Sequence, residues 1–256
     1  MPEPKTPTGK YMYCIIRSPE PRQFATRGIG ERGDIVHTVP FMNLAAVVSD
    51  SPTVEYESSR RNMMAHTLVL EEVMREFTIL PVRFSTVAPS AEAIQEKVLK
   101  RRFGEFNGLL TEMEGRVELG LKAFWYEGVI FHEIVEDDPP IRRLRDSLMG
   151  RTPEETYYER IRLGEVVEAA IWKKRDEDAE KILSPLRPLG YQSQVNKVVT
   201  DRMVLNAAFL VERSRQGEFD AAVKRLDEEM GKRLIFKYVG PVPPYNFVSI
   251  VVTWED

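Results

Sequence analysis

The hydrophobic positions of this chain change period along its length, and the changes mark out its elements. Residues 115–125 alternate most cleanly: Val117, Leu119, Leu121, Ala123 and Trp125 fall on one side, Arg116, Glu118, Gly120 and Lys122 on the other. This predicts a strand with one buried and one wet face. Residues 11–16 and 44–49 are short apolar runs that read as strands, with a shorter one at 35–38. From 60 to 77 the period lengthens. His66, Leu70, Val73 and Phe77 recur at spacings of four, three and four, which is one face of a helix. Residues 79–86 follow almost without a loop as a strand containing Pro81. Proline donates no ladder hydrogen bond, so this strand belongs at a sheet edge or at a bulge. Ser90 is an N-cap for a further helix reaching about residue 113, whose apolar stripe is Leu99, Phe103, Phe106, Leu110 and Met113.

In the second half, residues 130–149 read as helical at both ends and interrupted at Pro139-Pro140. Thr152-Pro153-Glu154-Glu155 is a capping box that opens a long helix reaching about residue 183. A β-hairpin follows over 191–212, then a helix over 218–230 with Phe219, Ala222, Val223, Leu226 and Met230 inward, then a strand over 233–239. Strand, helix, hairpin, helix, strand is the β-α-β-β-α-β order of a ferredoxin-like unit. The first half is a looser version of it. The expected class is α+β, divided into residues 1–114, 115–240, and a Pro-rich connector with an extended tail over 241–256.

Composition narrows the function. Among 256 residues, 30% are charged and the net charge is −4. That balance lacks the basic footprint of nucleic-acid binding. The polar N-terminal stretch 1–10 lacks the apolar run of a signal peptide. No apolar run approaches the roughly 20 residues of a membrane span. Cys14 is the single cysteine, which excludes an intrachain disulfide and a cysteine-based zinc site. Inside a strand it reads as a small buried hydrophobe.

Candidate chemistry is sparse. Gly28, Gly30 and Gly33 match the spacing of a dinucleotide fingerprint, but no buried strand precedes them and no helix follows, so a flexible surface loop is expected. His37, His66 and His132 lack metal-ligand spacing, and His66 reads as a core or interface histidine bonded to the backbone. Glu133, Glu136, Asp137 and Asp138 read as a solvated loop, and the charged stretch 173–181 as a solvated surface. No nucleophile elbow or phosphate-binding loop is present. Arg83 either pairs with a carboxylate such as Glu71 or Glu72, or belongs to a partner surface. Tyr245, Phe247 and Trp254 form an aromatic set near the end, read as core closure. No catalytic residue, cofactor or metal is expected.

Three segments carry a resemblance. His66 to Val87 includes Leu-Glu-Glu-Val-Met-Arg-Glu and Leu-Pro-Val-Arg-Phe-Ser-Thr-Val; residues 115–123 read Gly-Arg-Val-Glu-Leu-Gly-Leu-Lys-Ala; and residues 202–211 are followed by Gly240-Pro241-Val242-Pro243-Pro244-Tyr245. Together with the strands near Tyr11 and Leu44, they resemble the gas vesicle protein F/L family over nearly the whole chain. Ser85 stands where the family pattern often has Gly. The resemblance implies two domains, each a modified ferredoxin-like α/β sandwich, with a C-terminal tail. It also implies a non-enzymatic accessory protein of gas vesicle formation that aids nucleation and assembly or forms a minor structural component, located at the gas vesicle and cytoplasmic before assembly. Its expected partners are the hydrophobic shell subunit and other accessory proteins of the vesicle. The expected contact lies in the N-terminal domain at Met74, Arg75, Pro81, Arg83 and Phe84, through an open edge at the Pro81 strand or the strand near Tyr11. Methionines Met63, Met64 and Met74 would make that surface adaptable. The rival reading is a small-ligand binder or enzyme on a ferredoxin-like scaffold. An RNA-binding regulator ranks last, because the strand at 117–125 alternates aliphatic with charged residues rather than displaying aromatics.

Overall fold

The computed structural model describes residues 8–254, so the first seven residues of the polar N-terminal stretch lie outside the described residues. The chain divides into two compact units, one formed by residues 1–118 and 241–256 and the other by 119–240.

The first unit opens with four strands: β1 (Thr8–Arg17), β2 (Gln23–Arg27), β3 (Ile35–Phe41) and β4 (Leu44–Pro52). Helix α1 (Arg60–Val73) follows, then two two-residue strands, β5 (Leu80–Pro81) and β6 (Val87–Ala88). A short α2 (Ala91–Ala93) runs into a π-helical segment, Ile94–Lys100, and then α3 (Phe103–Met113). The sheet order is β2-β3-β4-β1-β5, with β6 also on β1. β1 is central: Tyr11 pairs with Ser49 of β4 on one side and Val87 of β6 on the other. Residues 11–16 are all fully buried. That explains their unbroken apolar run, because a strand covered on both faces has no wet positions to alternate with. α1 packs on β1 and β2, while the π-helical segment and α3 pack on β1, β3 and β4.

Residues 18–34, which include the loop expected at Gly28, Gly30 and Gly33, contain β2 and a tight turn. Ile29 is fully buried, and its N–H donates to the Tyr13 hydroxyl at 2.8 Å. A Cβ at Gly28 would sit 2.5 Å from Ser49 Oγ, so only glycine fits there. This turn is anchored rather than a flexible surface loop, and it leads into β3 rather than a helix, so no helix N-terminus is available for a phosphate. β2 carries a register shift between Phe24 and Arg27, and the two freed N–H groups, Ala25 and Thr26, each donate to the Glu72 carboxylate at 2.8 Å.

The second unit takes in most of β7 (Arg116–Trp125), helices α4 (Val129–Asp137), α5 (Pro139–Ser147) and α6 (Tyr157–Leu186), strands β8 (Gln192–Val195) and β9 (Met203–Glu212), α7 (Gln216–Met230) and most of β10 (Leu234–Val242). Its sheet order is β10-β7-β9-β8, with α6 and α7 packed on β9. The capping box forms: Thr152 and Glu155 exchange side-chain to backbone bonds at 3.4 Å, and the helix proper starts shortly after it. The acidic cluster is helical rather than a solvated loop. Asp138 caps α5 by accepting from the Ile141 N–H at 3.1 Å, and Glu133 joins an ion network.

That network also corrects the reading of 173–181 as a solvated face. Asp178 is fully buried and Arg175 nearly so. Asp178 accepts from the Trp125 indole at 3.0 Å and from Arg233 at 3.0 Å, and Arg233 also pairs with Glu133. Arg175 lies over the Trp172 and Trp125 rings and donates to the Asp201 carbonyl at 2.8 Å. A charged side chain can be buried when ring faces and carboxylates satisfy it, which charge patterning alone does not register.

Candidate functional site

The segment from the end of α1 to β6 holds the candidate contact residues, and its local geometry differs from one continuous strand. Pro81 pairs with Cys14 and the Val82 N–H donates to the Tyr13 carbonyl at 2.9 Å. The chain then leaves the sheet in a tight turn. Thr86 Oγ1 donates to the Arg83 carbonyl at 2.6 Å, and Ser85 takes a left-handed φ of 65°. It returns to β1 when Met12 donates to the Thr86 carbonyl at 2.9 Å.

The turn is fastened from below by tyrosines. The Ser85 N–H donates to Tyr11 Oη at 3.1 Å, and the Tyr56 N–H donates to Ser85 Oγ at 2.7 Å. Tyr11 Oη also shares a hydrogen bond with His66 Nδ1, 3.0 Å away. His66 bonds a tyrosine hydroxyl, not the backbone as expected. It is 2% exposed, stacked on Tyr13 and edge-on to Phe84, and its Nε2 has no hydrogen-bond partner among the described residues. Burial holds its pKa down at about 4. Burial likewise pushes Tyr13 up to about 12 and raises Tyr11 and Cys14 strongly. A buried neutral histidine between raised tyrosines is a packing arrangement, with no group poised to exchange protons near neutral pH.

Of the five candidate residues, Pro81 is buried, Met74 and Phe84 are half-buried against the core, and Arg75 and Arg83 are exposed. Arg83 does not pair with Glu72, whose carboxylate serves the β2 bulge. The geometry unites Pro81, Arg83 and Phe84 in one turn; Met74 and Arg75 belong to the end of α1. Met63, Met64 and Leu68 on α1 are 41–53% exposed, an apolar stripe facing outward.

The expected open edge is absent in both places. β1 is interior to the sheet, flanked by β4 on one side and by β5 and β6 on the other. β5 is the edge strand, as Pro81 requires, but the C-terminal segment covers it. Ile250 forms a parallel bridge with Val82, its N–H donating to the Pro81 carbonyl at 3.3 Å while its carbonyl accepts from the Arg83 N–H at 3.0 Å. The tail reaches this edge from a clamp that alternation could not reveal. Glu118, expected on the wet side of β7, is 2% exposed and accepts from the Asn246 backbone N–H at 2.9 Å and from its side-chain amide. Burial raises its pKa, against the lowering effect of the Asn246 bonds. Tail and turn together line an open pocket of about 470 Å³, with Thr53, Glu55, Arg83, Phe84, Val251 and Trp254 at its walls. In the second unit a groove of about 1000 Å³ runs between α6 and α7, with Leu226 and Met230 in its floor and Glu177, Glu180 and Glu229 among its lining. Among the described residues no three histidine, cysteine or carboxylate side chains gather as a metal site, and no helix is long and apolar enough to cross a membrane.

The family model for gas vesicle synthesis protein GvpL/GvpF matches residues 9–249. The chain belongs to that family. A gas vesicle protein F from Streptomyces sp. (strain CB03234) is 32% identical over 240 residues, covering 93% of this chain and 99% of its own. The fold matches the crystal structure of GvpF from Anabaena sp. PCC7120 with a TM-score of 0.83 at 25% identity, covering 96% of this chain and all of that one. GvpF from Microcystis aeruginosa matches with a TM-score of 0.78 at 27% identity, covering 93% and 98%. Membership in the GvpL/GvpF family gives the chain a gas vesicle-related role. It also agrees with a mixed α/β fold of antiparallel sheets and extends to the edge-covering segment as far as residue 249.

Proposed function

We propose that this protein is a non-enzymatic accessory protein of gas vesicle formation, working in the cytoplasm before assembly and at the vesicle afterwards. Its main partner is the hydrophobic shell subunit, whose assembly it aids, and other accessory proteins of the vesicle are secondary partners. The observation that carries this is the family match over residues 9–249. Physical logic supports it: a shell that holds gas needs subunits with apolar surface, and such surface associates non-specifically until a partner covers it. We assign the contact to the first unit, in the region of Met74, Arg75, Pro81, Arg83 and Phe84. The outward stripe of Met63, Met64 and Leu68 and the exposed Arg83 support that placement. The second unit is read as ferredoxin-like from its β-α-β-β-α-β order, and the first as a modified relative in which no helix separates β1 to β4.

The test is co-expression of the full chain with a tagged shell subunit and recovery of both. Arg75→Glu and Arg83→Glu alter exposed positions and leave folding intact. A tenfold loss of recovery with these variants supports the placement. Unchanged recovery overturns it, and no recovery by the unaltered chain overturns the shell-subunit reading. A split at residue 114 is the poorer experiment, because it severs Glu118 and the tail from the unit they complete.

A further inference from the structure

The C-terminal tail occupies the sheet edge that a partner strand would need, and it does so with a minimum of backbone pairing. Its register is one isolated bridge, Val82 to Ile250, carrying two hydrogen bonds of 3.0 and 3.3 Å. Beyond the Glu118 clamp at Asn246, long side chains reach its carbonyls: Arg102 Nη1 to Val251 at 3.2 Å and Lys97 Nζ to Trp254 at 3.2 Å. What seats the tail is apolar. Val248 and Ile250 are 4% and 1% exposed, whereas Ser249 and Val251 between and after them face outward. The tail is thus a strand in side-chain pattern, with period two, on an edge that has room for alternate aliphatic residues.

We propose that the β5 edge is a strand-acceptor surface whose resident occupant is the tail, and that an extended, alternately aliphatic strand of the shell subunit takes the tail's place there. This rests on the shell-subunit reading above. Three observations carry it. The pairing groups of the edge, the accepting Pro81 carbonyl and the donating Arg83 N–H, are backbone groups that any strand can satisfy. The two seats filled by Val248 and Ile250 specify aliphatic residues two apart, and a polar strand would leave them empty. The Glu118–Asn246 clamp lies before the exchanged stretch, so residues beyond it can leave without breaking it. Arg83 and Phe84, which line the pocket beside the tail, then lie next to the incoming strand.

The test locks and frees the tail in the full chain. Paired strand residues lie about 4.8 Å apart, inside the range a disulfide spans. Val82→Cys with Ile250→Cys therefore fixes the tail when oxidised and releases it when reduced, and buried Cys14 does not interfere. The probe is the shell subunit carried on a solubilising fusion, with recovery measured under both conditions. The oxidised variant should recover at least tenfold less than the reduced one, while the unaltered chain shows no redox dependence. Ile250→Pro, which removes the N–H given to Pro81, should raise recovery several-fold, and it serves if the double variant folds poorly. Equal recovery by locked and released forms, with Ile250→Pro unchanged, overturns the strand exchange and leaves the shell-subunit reading standing. No recovery by any form, including Ile250→Pro, overturns both.

Discussion

The two units bury polar groups in opposite ways. Apart from Glu118 at its boundary, the first places neutral groups in its core: His66 on Tyr11, and Tyr13 on Ser49, linked by hydroxyl and imidazole bonds of 2.9–3.0 Å. The second buries a charge, Asp178, and surrounds it with Arg233, the Trp125 indole and, at 3.6 Å, Lys181. Burial pushes Asp178 up, but Arg233, Trp125 and Lys181 outweigh it and hold the carboxyl below its usual range. Neutral networks cost little to bury but fail when one member must take a charge. Charged networks survive as long as every partner stays. The units should therefore break under different insults.

The largest expected effect is at Arg233. Arg233→Met leaves Asp178 buried beside only the indole and Lys181, and leaves Glu133 with Lys174 at 3.6 Å. Removing one partner of a buried pair costs about 3 kcal/mol or more. Urea unfolding should show the loss, and hydrogen exchange should rise first in β9 and α6. A loss below about 1 kcal/mol would mean that water already screens the pair. The comparison would then reduce to two ordinary cores.

Acid should separate the units in the other order. His66 is held near pKa 4 against 6.5 unfolded, so the native state resists a proton that the unfolded chain accepts. Its contribution is complete above pH 6.5 and is lost as pH falls towards 4, about 3 kcal/mol over that window. Asp178, with its lowered pKa, contributes above the unfolded aspartate value of roughly 3.9 and fails only below it. Glu118 acts with the opposite sign. Its raised pKa means that its favourable contribution is present at low pH and is lost as pH rises, so it partly offsets His66 on acidification. His66→Phe should flatten stability between pH 6.5 and 4, measured by urea titration at each pH. In a Glu118→Gln background the slope with His66 present should steepen. A chain that keeps its full pH slope without His66 would show that another group sets the acid limit.

Much of this contrast was legible in the sequence for the neutral unit and little of it for the charged one. The spacing of His66, Leu70, Val73 and Phe77 already turned the histidine inward, and Pro81 already required an edge. Tyr11 was legible as part of a strand, although its central position was not, because sheet order depends on pairings far apart in sequence. Asp178 and Arg175 sit in a run of charges whose pattern is that of a wet helix; what buries them is Trp125, 53 positions from Asp178. Glu118 misled for the same reason. Alternation put it on the wet face, and Asn246, 128 positions away, makes burial tolerable. The covered edge was also out of reach, since it depends on where the last residues of the chain come to rest.

The smallest expected effect sharpens the neutral side of the comparison at Ser85. Its φ of 65° is left-handed, a conformation that costs a non-glycine residue roughly 1 kcal/mol. Its hydroxyl offsets part of this by accepting from the Tyr56 N–H at 2.7 Å, a bond of similar net worth. Ser85→Gly relieves the backbone and loses the bond, so stability should change by less than about 1 kcal/mol. Ser85→Ala keeps the strain and loses the bond, and should fall about 1 kcal/mol below Ser85→Gly in thermal or urea unfolding. Glycine and serine then become two solutions to one turn, the first conformational and the second by hydrogen bond. If Ser85→Ala instead matches the unaltered chain, the hydroxyl contributes nothing, and the turn is held by the Ser85 N–H on Tyr11 together with the Thr86 bond to Arg83.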